Sequence, residues 1–287
     1  MKTRSVLVQA ALSLLIGSFG ASAMAQSALG AAQQFGVLGA STVTNTHATT
    51  IKGDLGVSPG TAITDDGGLT VVGTVHQRDV VALQAQLDAL AAYQGFGGLF
   101  PGTDLSGQNL GGLVLLPGVY SFANSAQLTG VLTLNFAGNA NSRFVFRIGS
   151  TLTTASNSSV SVINGTSSSG IFFRVGTSAV LGSSTVFQGN IIADQSITLV
   201  STAKIVCGRA IALNAAVTLD NNVVSNNCSS GGDYGSGKSD FGSNGYAGIG
   251  AVFPPSTVVP EPATVVLMAV GLLFVGGFAR TRKSRFV

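Results

Sequence analysis

The sequence predicts a mainly β protein built as a solenoid of stacked coils, accompanied by one long α-helix. Leu134 and Leu152 are 18 residues apart, as are Leu181 and Leu199, and Leu199 is followed by Leu219 after 20 residues. These intervals are typical of a solenoid coil rather than of a helical turn. Each repeat carries a Ser/Thr-Leu strand, then small polar residues and an apolar pair, whereas one segment alone has clear helical periodicity.

Stacked coils have a direct consequence for the surface. Equivalent side chains of neighbouring coils lie about 4.8 Å apart, which is the spacing between strands. A side of the solenoid composed of Thr, Ser, Ala and Asn therefore becomes a regular lattice of methyl and hydroxyl groups. Such a surface is suited to ordering water.

The N-terminus has the pattern of a secretory signal peptide over residues 1–25. Lys2 and Arg4 precede an apolar run at 6–19, and Ala23-Met24-Ala25 fits the small-residue cleavage rule. We expect an exported protein that begins at Gln26. An N-terminal membrane anchor is the alternative, which the short apolar run disfavours.

The C-terminus has three parts in a fixed order. The motif Val259-Pro260-Glu261-Pro262 precedes an apolar run at 263–279 and a basic cluster at 280–285. A helix of about 17 residues spans roughly 26 Å, so the run predicts a single transmembrane helix with the basic end in the cytoplasm. A plain tail anchor is one interpretation. Residues 229–258, rich in Gly and Ser, predict a linker between this tail and the folded domain at 26–228.

The distribution of charge along the chain disfavours a nucleic-acid partner. The net charge is +3, yet residues 26–229 contain seven basic residues and eight Asp. Nucleic-acid binding needs a clustered basic stripe, which this domain lacks, so no nucleic-acid partner is expected. Charged residues form 9% of the chain, and hydroxyl and amide groups must therefore supply most of the wetted surface.

Cys207 and Cys228 are the two cysteines. In an exported protein such a pair predicts a disulfide, here one that fastens the last coil to the chain that follows it. Two free buried thiols are the alternative. A metal site is not expected, because His47 and His76 are distant in sequence.

Segments before residue 103 are predicted as follows. Residues 29–50 indicate strands, and the Gly- and Pro-punctuated stretch 52–60 indicates a loop-rich end piece. Residues 78–94 predict the helix, with Gly95 as its stop and an apolar stripe that should pack against the solenoid; the stripe consists of Val80, Leu83, Leu87, Leu90 and Ala91. A helix that contacts a membrane surface or a partner is the alternative, which the lack of Lys and Arg beyond Arg78 disfavours.

The solenoid itself is expected from Thr103 onward. Two runs, 143–148 and 171–175, alternate Phe with Arg, and the simple interpretation is Phe inward and Arg outward. An anion clamp formed by these arginines is the alternative.

Several segments resemble the microbial ice-binding protein family. They run in the family's order across roughly residues 28–227: Leu55-Gly56-Val57-Ser58-Pro59-Gly60, Leu110-Gly111-Gly112-Leu113, Leu116-Pro117-Gly118-Val119-Tyr120, the stretch 144–154, Gly189-Asn190-Ile191, Gly208-Arg209-Ala210 and Val217-Thr218-Leu219-Asp220-Asn221-Asn222. The resemblance implies a right-handed, discontinuous β-helix with a long helix packed alongside, and adsorption to ice through one flat face.

The C-terminal tail resembles the PEP-CTERM sorting signal of Gram-negative bacteria. The resemblance implies recognition by an exosortase-type processing enzyme, transient anchoring in the inner membrane, and a final location that is secreted or at the cell surface. Exopolysaccharide is then a further candidate partner.

Threonine suits an ice-binding face because its methyl and hydroxyl groups both act on water, while β-branching restricts χ1. The resemblance implies a Thr-Ala/Gly-x-Thr/Asn motif on this face, which Thr154-Ala155-Ser156-Asn157 matches, whereas a projecting Lys204 would disrupt the array. Solvated outer positions of a solenoid are the alternative interpretation. The candidate ice-binding residues are Thr151, Thr153, Thr154, Ser156, Asn157, Ser183, Ser184, Thr185, Ser201, Thr202, Asn221 and Asn222.

We therefore expect a secreted ice-binding protein, with ice or ordered water as its partner and without cofactor or metal. The alternative is a structural or adhesion protein of the cell surface or exopolysaccharide matrix that uses the same scaffold. An enzyme is not expected, because the Asp residues of the domain are scattered, Glu is absent from it and no Gly-x-Ser-x-Gly motif occurs.

Overall fold

Parallel strands in two sheets, together with one α-helix, form the structure. It is a computed structural model that describes residues 27–100, 102–139, 141–166, 168–226, 228 and 246–248. The predicted signal peptide 1–25, most of the linker 229–258 and the tail 259–287 lie outside these residues. The mainly β prediction with one long helix is confirmed.

The smaller sheet contains seven strands. Its spatial order is β11 (Ala126–Leu128), β14 (Leu152–Thr154), β17 (Ala179–Leu181), β19 (Ile197–Leu199), β21 (Val217–Asp220), β2 (Thr42–Thr46) and β5 (Ala62–Asp66).

The larger sheet contains fifteen strands. Its longest path follows β6 (Leu69–Val72), β3 (Thr49–Lys52), β22 (Val223–Ser225), β20 (Lys204–Ala212), β18 (Val186–Ala193), β16 (Gly170–Val175), β13 (Arg143–Ile148), β10 (Gly118–Phe122) and β8 (Thr103–Asp104). Branches from this path are β1 (Phe35–Gly39), β4 (Asp54–Val57), β7 (Val75–Gln77), β9 (Val114–Leu115), β12 (Val131–Asn135) and β15 (Ser159–Ile163).

The spatial order of the strands departs from the chain order at one place. Strands β1, β2 and β3 pair with β20, β21 and β22, so the first strands of the domain lie against the last. Strands β4, β5 and β6 then stack beyond them. The stretch 52–60, predicted as loop-rich, instead contains β4, because Leu55 and Val57 alternate into the core.

Strands β18 and β20 are long because each bends from one part of the larger sheet into the other. The register shifts between Gln188 and Asn190, where Gly189 has a φ of 118°. A Cβ on Gly189 would lie 2.5 Å from the Ile171 side chain, so only glycine fits this bend.

Aromatic rings stack in the core on successive strands of the larger sheet. Tyr120, Phe146 and Phe173 are in register, with ring centroids 5.4 and 4.4 Å apart. Inward Phe is therefore correct for Phe146 and Phe173. Phe172 differs, because it lies on the outer side of β16 beneath the helix, 4.5 Å from the Phe96 ring.

Helix α1 (Val80–Gly98) packs across the outer side of the larger sheet. A short 3-10 helix (Gly30–Gln34) lies beside it. Asp79 caps α1 by accepting a hydrogen bond from the Ala82 amide at 2.8 Å. The helix continues through Gly95, the residue predicted to stop it.

The prediction of which side of α1 is buried was wrong. The side toward the sheet contains alanines with two aromatic residues, whereas Val80, Leu83, Leu87 and Leu90 are exposed; the buried apolar residues are Ala82, Ala85, Ala89, Ala92, Tyr93 and Phe96. Small residues are buried on this side because they let the helix axis approach the sheet closely.

A disulfide joins Cys207 and Cys228, whose Cα atoms are 5.0 Å apart. Cys207 lies at the bend of β20, and Cys228 follows β22. The bridge therefore fastens the last coil as predicted. Among the described residues no helix is long and apolar enough to cross a membrane, and the run 263–279 is not among them.

Candidate functional site

The outer side of the seven-stranded sheet carries a column of threonines. One residue at the centre of each strand projects outward, and the strand registers align these residues from coil to coil as Gln127, Thr153, Val180, Thr198, Thr218, Thr44 and Thr64. Five of these seven aligned positions are threonine. We call this sheet surface, with its two flanking columns, the threonine face.

The flanking columns are also small and polar for the most part. Two residues earlier in each strand lie Ser125, Thr151, Ser178, Ser196, Ala216, Thr42 and Ala62. Hydroxyl groups in this column bond to one another between coils, as in Thr151 to Ser125 at 2.8 Å and Ser196 to Ser178 at 2.9 Å. Two residues later lie Thr129, Ala155, Gly182, Val200, Asp220, Thr46 and Asp66.

A buried apolar layer supports the threonine face. The residues that alternate with the outward ones point into the core and are fully buried, for example Leu152, Ile197 and Val217. β-branched threonines on strands held this firmly have little χ1 freedom, so their methyl and hydroxyl groups keep one orientation.

A second row of candidate residues lies in the turns that follow these strands. Asn157, Ser184, Thr202, Asn221 and His47 all have positive φ, between 52° and 63°, and so form one repeated left-handed turn. The turns stack through backbone bonds, such as Asn157 N–H to the Ser183 carbonyl at 2.9 Å. The Ser184 and Thr202 hydroxyls are 2.8 Å apart. These turns form the rim of the threonine face, together with Ser156, Ser183 and Ser201.

Three predicted ice-binding residues do not reach the surface. Thr154, Thr185 and Asn222 are exposed by 3%, 0% and 1%. Their polar groups are satisfied internally: the Thr154 and Thr185 hydroxyls bond to each other, and the Asn222 amide donates to the Val200 and Ala203 carbonyls at 3.0 Å. For Thr154, strand alternation is the reason, because Thr153 projects outward and Thr154 must therefore project inward.

Of the remaining candidates, Thr153 lies in the central column and Thr151 in the flanking column, while Ser156, Asn157, Ser183, Ser184, Ser201, Thr202 and Asn221 lie on the rim. Sequence reasoning missed Thr42, Thr44, Thr64, Thr198 and Thr218. The repeated apolar-Thr-apolar triplets at 197–199 and 217–219 were a signal that could have identified two of them.

Charge on the threonine face is acidic and confined to one end. Asp220 and Asp66 lie in a flanking column, and the His47 ring nitrogen Nδ1 is 2.8 Å from the Asp220 carboxylate on the rim. Inward-pointing Asp65 accepts a hydrogen bond from Asn45, which holds the pKa of Asp65 below its usual range. Lys204 does not interrupt the face, since it begins β20 of the other sheet.

Two of the three arginines named as a possible anion clamp, Arg147 and Arg174, contact the end of α1 instead. Arg147 donates to the Leu99 carbonyl at 2.7 Å, and Arg174 donates to the Tyr93 carbonyl at 3.1 Å with its guanidinium 4.0 Å from the Tyr93 ring centre. Cations stabilise a helix C-terminus. The packing of α1 on the sheet therefore explains the positions of these two arginines without an anion.

Arg209 is buried in the same sheet and donates to the Asn190 side chain at 2.7 Å and to the Gln33 carbonyl. Burial lowers the pKa of Arg209 to about 9.

Two parallel sheets, one with an aligned threonine column and the other covered by a helix, define the class of fold to which this domain belongs. Within the described residues no group of three or more His, Cys, Asp or Glu side chains could hold a metal ion. The sequence profile of the ice-binding-like family matches residues 37–225, and the profile of the PEP-CTERM protein-sorting motif matches residues 258–283. The chain belongs to the ice-binding-like family and carries a PEP-CTERM motif.

Similar proteins agree with this assignment. The chain is 54% identical over 208 residues to an ice-binding protein of Nostoc sp. (strain HG1), covering 72% of this chain and 77% of that protein. Two crystal structures of ice-binding proteins have similar folds. One, from an Antarctic biological consortium, has a TM-score of 0.64 at 41% identity, over 69% of this chain and 89% of that one. The other, from Antarctomyces psychrotrophicus, has a TM-score of 0.65 at 39% identity, over 70% and 98%.

Proposed function

We propose that this protein adsorbs to ice through the threonine face and thereby slows ice growth or recrystallisation, without catalysis and without a cofactor. The observation that carries the proposal is the in-register column Thr153, Thr198, Thr218, Thr44 and Thr64. Family membership supports ice as the partner, and the column supports this sheet as the contact surface.

The physical argument concerns water. Stacked coils repeat a methyl and a hydroxyl about every 4.8 Å along the stack. Water must form a cage around each methyl, and the neighbouring hydroxyl anchors that cage by hydrogen bonding. A rigid array that is ordered in two directions can hold water molecules at positions that match the lattice of an ice surface. Lys and Arg are absent from the three columns, so no mobile, strongly hydrated cation interferes.

We further propose that the parallel coils close into a right-handed, discontinuous β-helix over residues 26–228. The all-parallel pairing and the insertion of β1–β6 beyond β20–β22 support this topology. The crossover connection between two parallel strands of one sheet is right-handed in nearly every protein.

The proposed route of export uses both ends of the chain. Residues 1–25 act as a cleaved signal peptide, and residues 263–279 span the inner membrane transiently. The linker 229–258 joins the domain to this membrane span, and an exosortase-type enzyme cuts at the tail motif Val259 to Pro262. The protein is then released or held at the surface of a Gram-negative cell, where exopolysaccharide is a possible contact.

An ice recrystallisation assay tests the proposed face. Thr218→Lys replaces a central member of the column with a mobile cation, and we expect it to remove the activity of the exported protein. Ser161→Lys is the matched control, since Ser161 projects outward from β15 of the other sheet. Equal activity in both variants would exclude the threonine face. No activity in the unmodified protein would favour the structural or matrix role of the scaffold.

A further inference from the structure

The outer side of α1 carries a row of exposed apolar side chains. Val80, Leu83, Leu87 and Leu90 are exposed by 79%, 49%, 52% and 40%. Their spacing of three, four and three residues places them on one stripe of the helix. We call these four residues the leucine ridge. The alanine side of α1 already packs on the sheet, so the fold does not bury the ridge.

The helix surface around the ridge has a single charged residue. The other exposed positions include Val81, Gln84, Ala91 and Gln94. Asp88 is the one charged residue between 80 and 98, and its carboxylate accepts hydrogen bonds from the Ala31 amide at 2.6 Å and from Gln84 at 2.8 Å. A helix side that faces water is normally charged or polar, so this composition indicates a partner.

The path of the chain brings the C-terminal tail close to this helix. Ala247 packs in the same apolar cluster as the alanines of α1, and its carbonyl accepts a hydrogen bond from Ser27. Fourteen residues, 249–262, then separate this point from the apolar run at 263–279. A random coil of that length has a root-mean-square reach of about 20 Å. A membrane that holds the run therefore lies near α1.

We propose that the leucine ridge rests on the lipid surface of the membrane that anchors the C-terminal tail. The inference rests on the proposed membrane span at 263–279. Arg78, two residues before Val80, is the one basic residue near the ridge in sequence, so the contact depends mainly on burial of apolar side chains between the lipid headgroups and little on attraction to anionic lipids. The tether supplies a high effective concentration, so a small contact is sufficient.

A second copy of the chain fits the ridge less well. The ridge extends over about 15 Å of helix, and a stable protein interface needs roughly 800 Å² from each partner. Four partly exposed side chains do not provide that area. A lipid surface has no such requirement, because the tail itself provides the attachment.

The absence of Trp from the chain allows a clean test. Leu87→Trp places a single reporter in the ridge, and Thr198→Trp places a matched reporter on the threonine face of the other sheet. Each full-length variant is reconstituted into phosphatidylcholine vesicles, and flotation establishes whether the chain is anchored. Emission is then recorded with ordinary and with brominated phosphatidylcholine.

We expect the Leu87→Trp emission to shift to shorter wavelength and to lose intensity in brominated lipid, while Thr198→Trp emits as in water. Anchored chain in which both reporters emit as in water would overturn the lipid contact and leave the anchoring intact. A Leu87→Trp shift that depends on protein concentration and ignores bromine would assign the ridge to a second copy. Chain that does not float with the vesicles would contradict both the proposed anchoring and this contact, whereas the ice assay would be unaffected.

Discussion

The hydroxyl groups of Thr154 and Thr185 lie 2.8 Å apart inside the protein, although their sequence positions are 31 residues apart. Thr154 also accepts a hydrogen bond from the Gly182 amide, and Thr185 donates to the Ala155 carbonyl. This buried pair joins two neighbouring coils at the corner between the sheets. Adjacent Thr153 projects to the opposite side, into solvent.

Valine substitutions at the adjacent residues Thr153 and Thr154 should affect different properties, namely ice activity at Thr153 and stability at Thr154. Thr154→Val removes buried hydrogen bonds and should lower the free energy of unfolding by about 1 kcal/mol, with ice recrystallisation activity unchanged. Thr153→Val leaves stability within about 0.5 kcal/mol, because the site is exposed, but reduces ice activity. Urea unfolding and an ice recrystallisation assay on both variants measure the two properties. Loss of ice activity in Thr154→Val at full stability would contradict the assignment of this residue to the interior.

The disulfide between Cys207 and Cys228 closes a 21-residue separation. On the chain-entropy model a loop of this length contributes about 3 kcal/mol by restricting the unfolded chain. Reduction of the protein should therefore lower its urea midpoint, and the Cys207→Ser, Cys228→Ser double variant should match the reduced protein. A midpoint that reduction leaves unchanged would show that the bridge does not restrict the unfolded state.

Substitutions on the two sides of α1 should separate packing from exposure. Ala85 is fully buried against the sheet, so Ala85→Leu forces the helix outward and should cost about 1–3 kcal/mol. Leu87 is exposed, and Leu87→Ala should change the stability of the protein without membranes by less than about 0.5 kcal/mol. Thermal unfolding of both variants measures the difference. A larger loss from Leu87→Ala would mean that the ridge packs on the domain.

The helix cap should make stability depend on acid pH. The Ala82 amide and His76 hold the pKa of Asp79 below its usual value of 3.8. A carboxylate with a lowered pKa in the folded state contributes stability that is complete above the unfolded pKa and is lost as pH falls through the folded pKa.

Asp79→Ala should therefore cost about 1 kcal/mol at neutral pH, and its difference from the unmodified protein should shrink in acid below the unfolded pKa. Asp66→Ala is the control, since this exposed aspartate caps no helix. Urea midpoints at several pH values give the comparison. A constant difference down to pH 2 would refute the cap as the cause.

Local pattern was sufficient to predict the buried leucines, because every strand repeats the same demand for inward apolar residues, and it gave the correct spacing of Leu181, Leu199 and Leu219 on the neighbouring strands β17, β19 and β21. The predicted equivalence of Leu134 and Leu152 was wrong, because they lie in different sheets, where Leu134 pairs with Val162 and Leu152 with Ala179.

Local pattern was not sufficient at Thr154, where the family motif spans the end of a strand and the following turn. The strand register decides which threonine faces water, and pairing between Thr153 and Val180 fixes that register. This pairing is a contact between residues distant in sequence, so the local sequence pattern does not reveal it.

The helix failed for a related reason. Leu83, Leu87 and Leu90 are the more hydrophobic side of α1, but Ala85 and Ala89 allow the closer approach to the flat outer side of the sheet. Hydrophobicity therefore favoured burial of the leucine side, whereas close packing favoured burial of the alanine side, and close packing determined the orientation of the helix. The aligned threonines of β2 and β5 were likewise not predicted, because β2 joins this sheet by pairing with β21 from the far end of the domain, and β5 joins it through β2.

The meeting of β2 with β21 has a consequence for biosynthesis. His47 and Asp220, which bond across these strands, are 173 positions apart. The nascent polypeptide cannot finish the seven-stranded sheet until translation has passed the final coil, and such distant contacts make folding slow. The first six strands, in which β1, β2 and β3 pair with β4, β5 and β6, therefore cannot join the rest of the two sheets until β20, β21 and β22 have been synthesised.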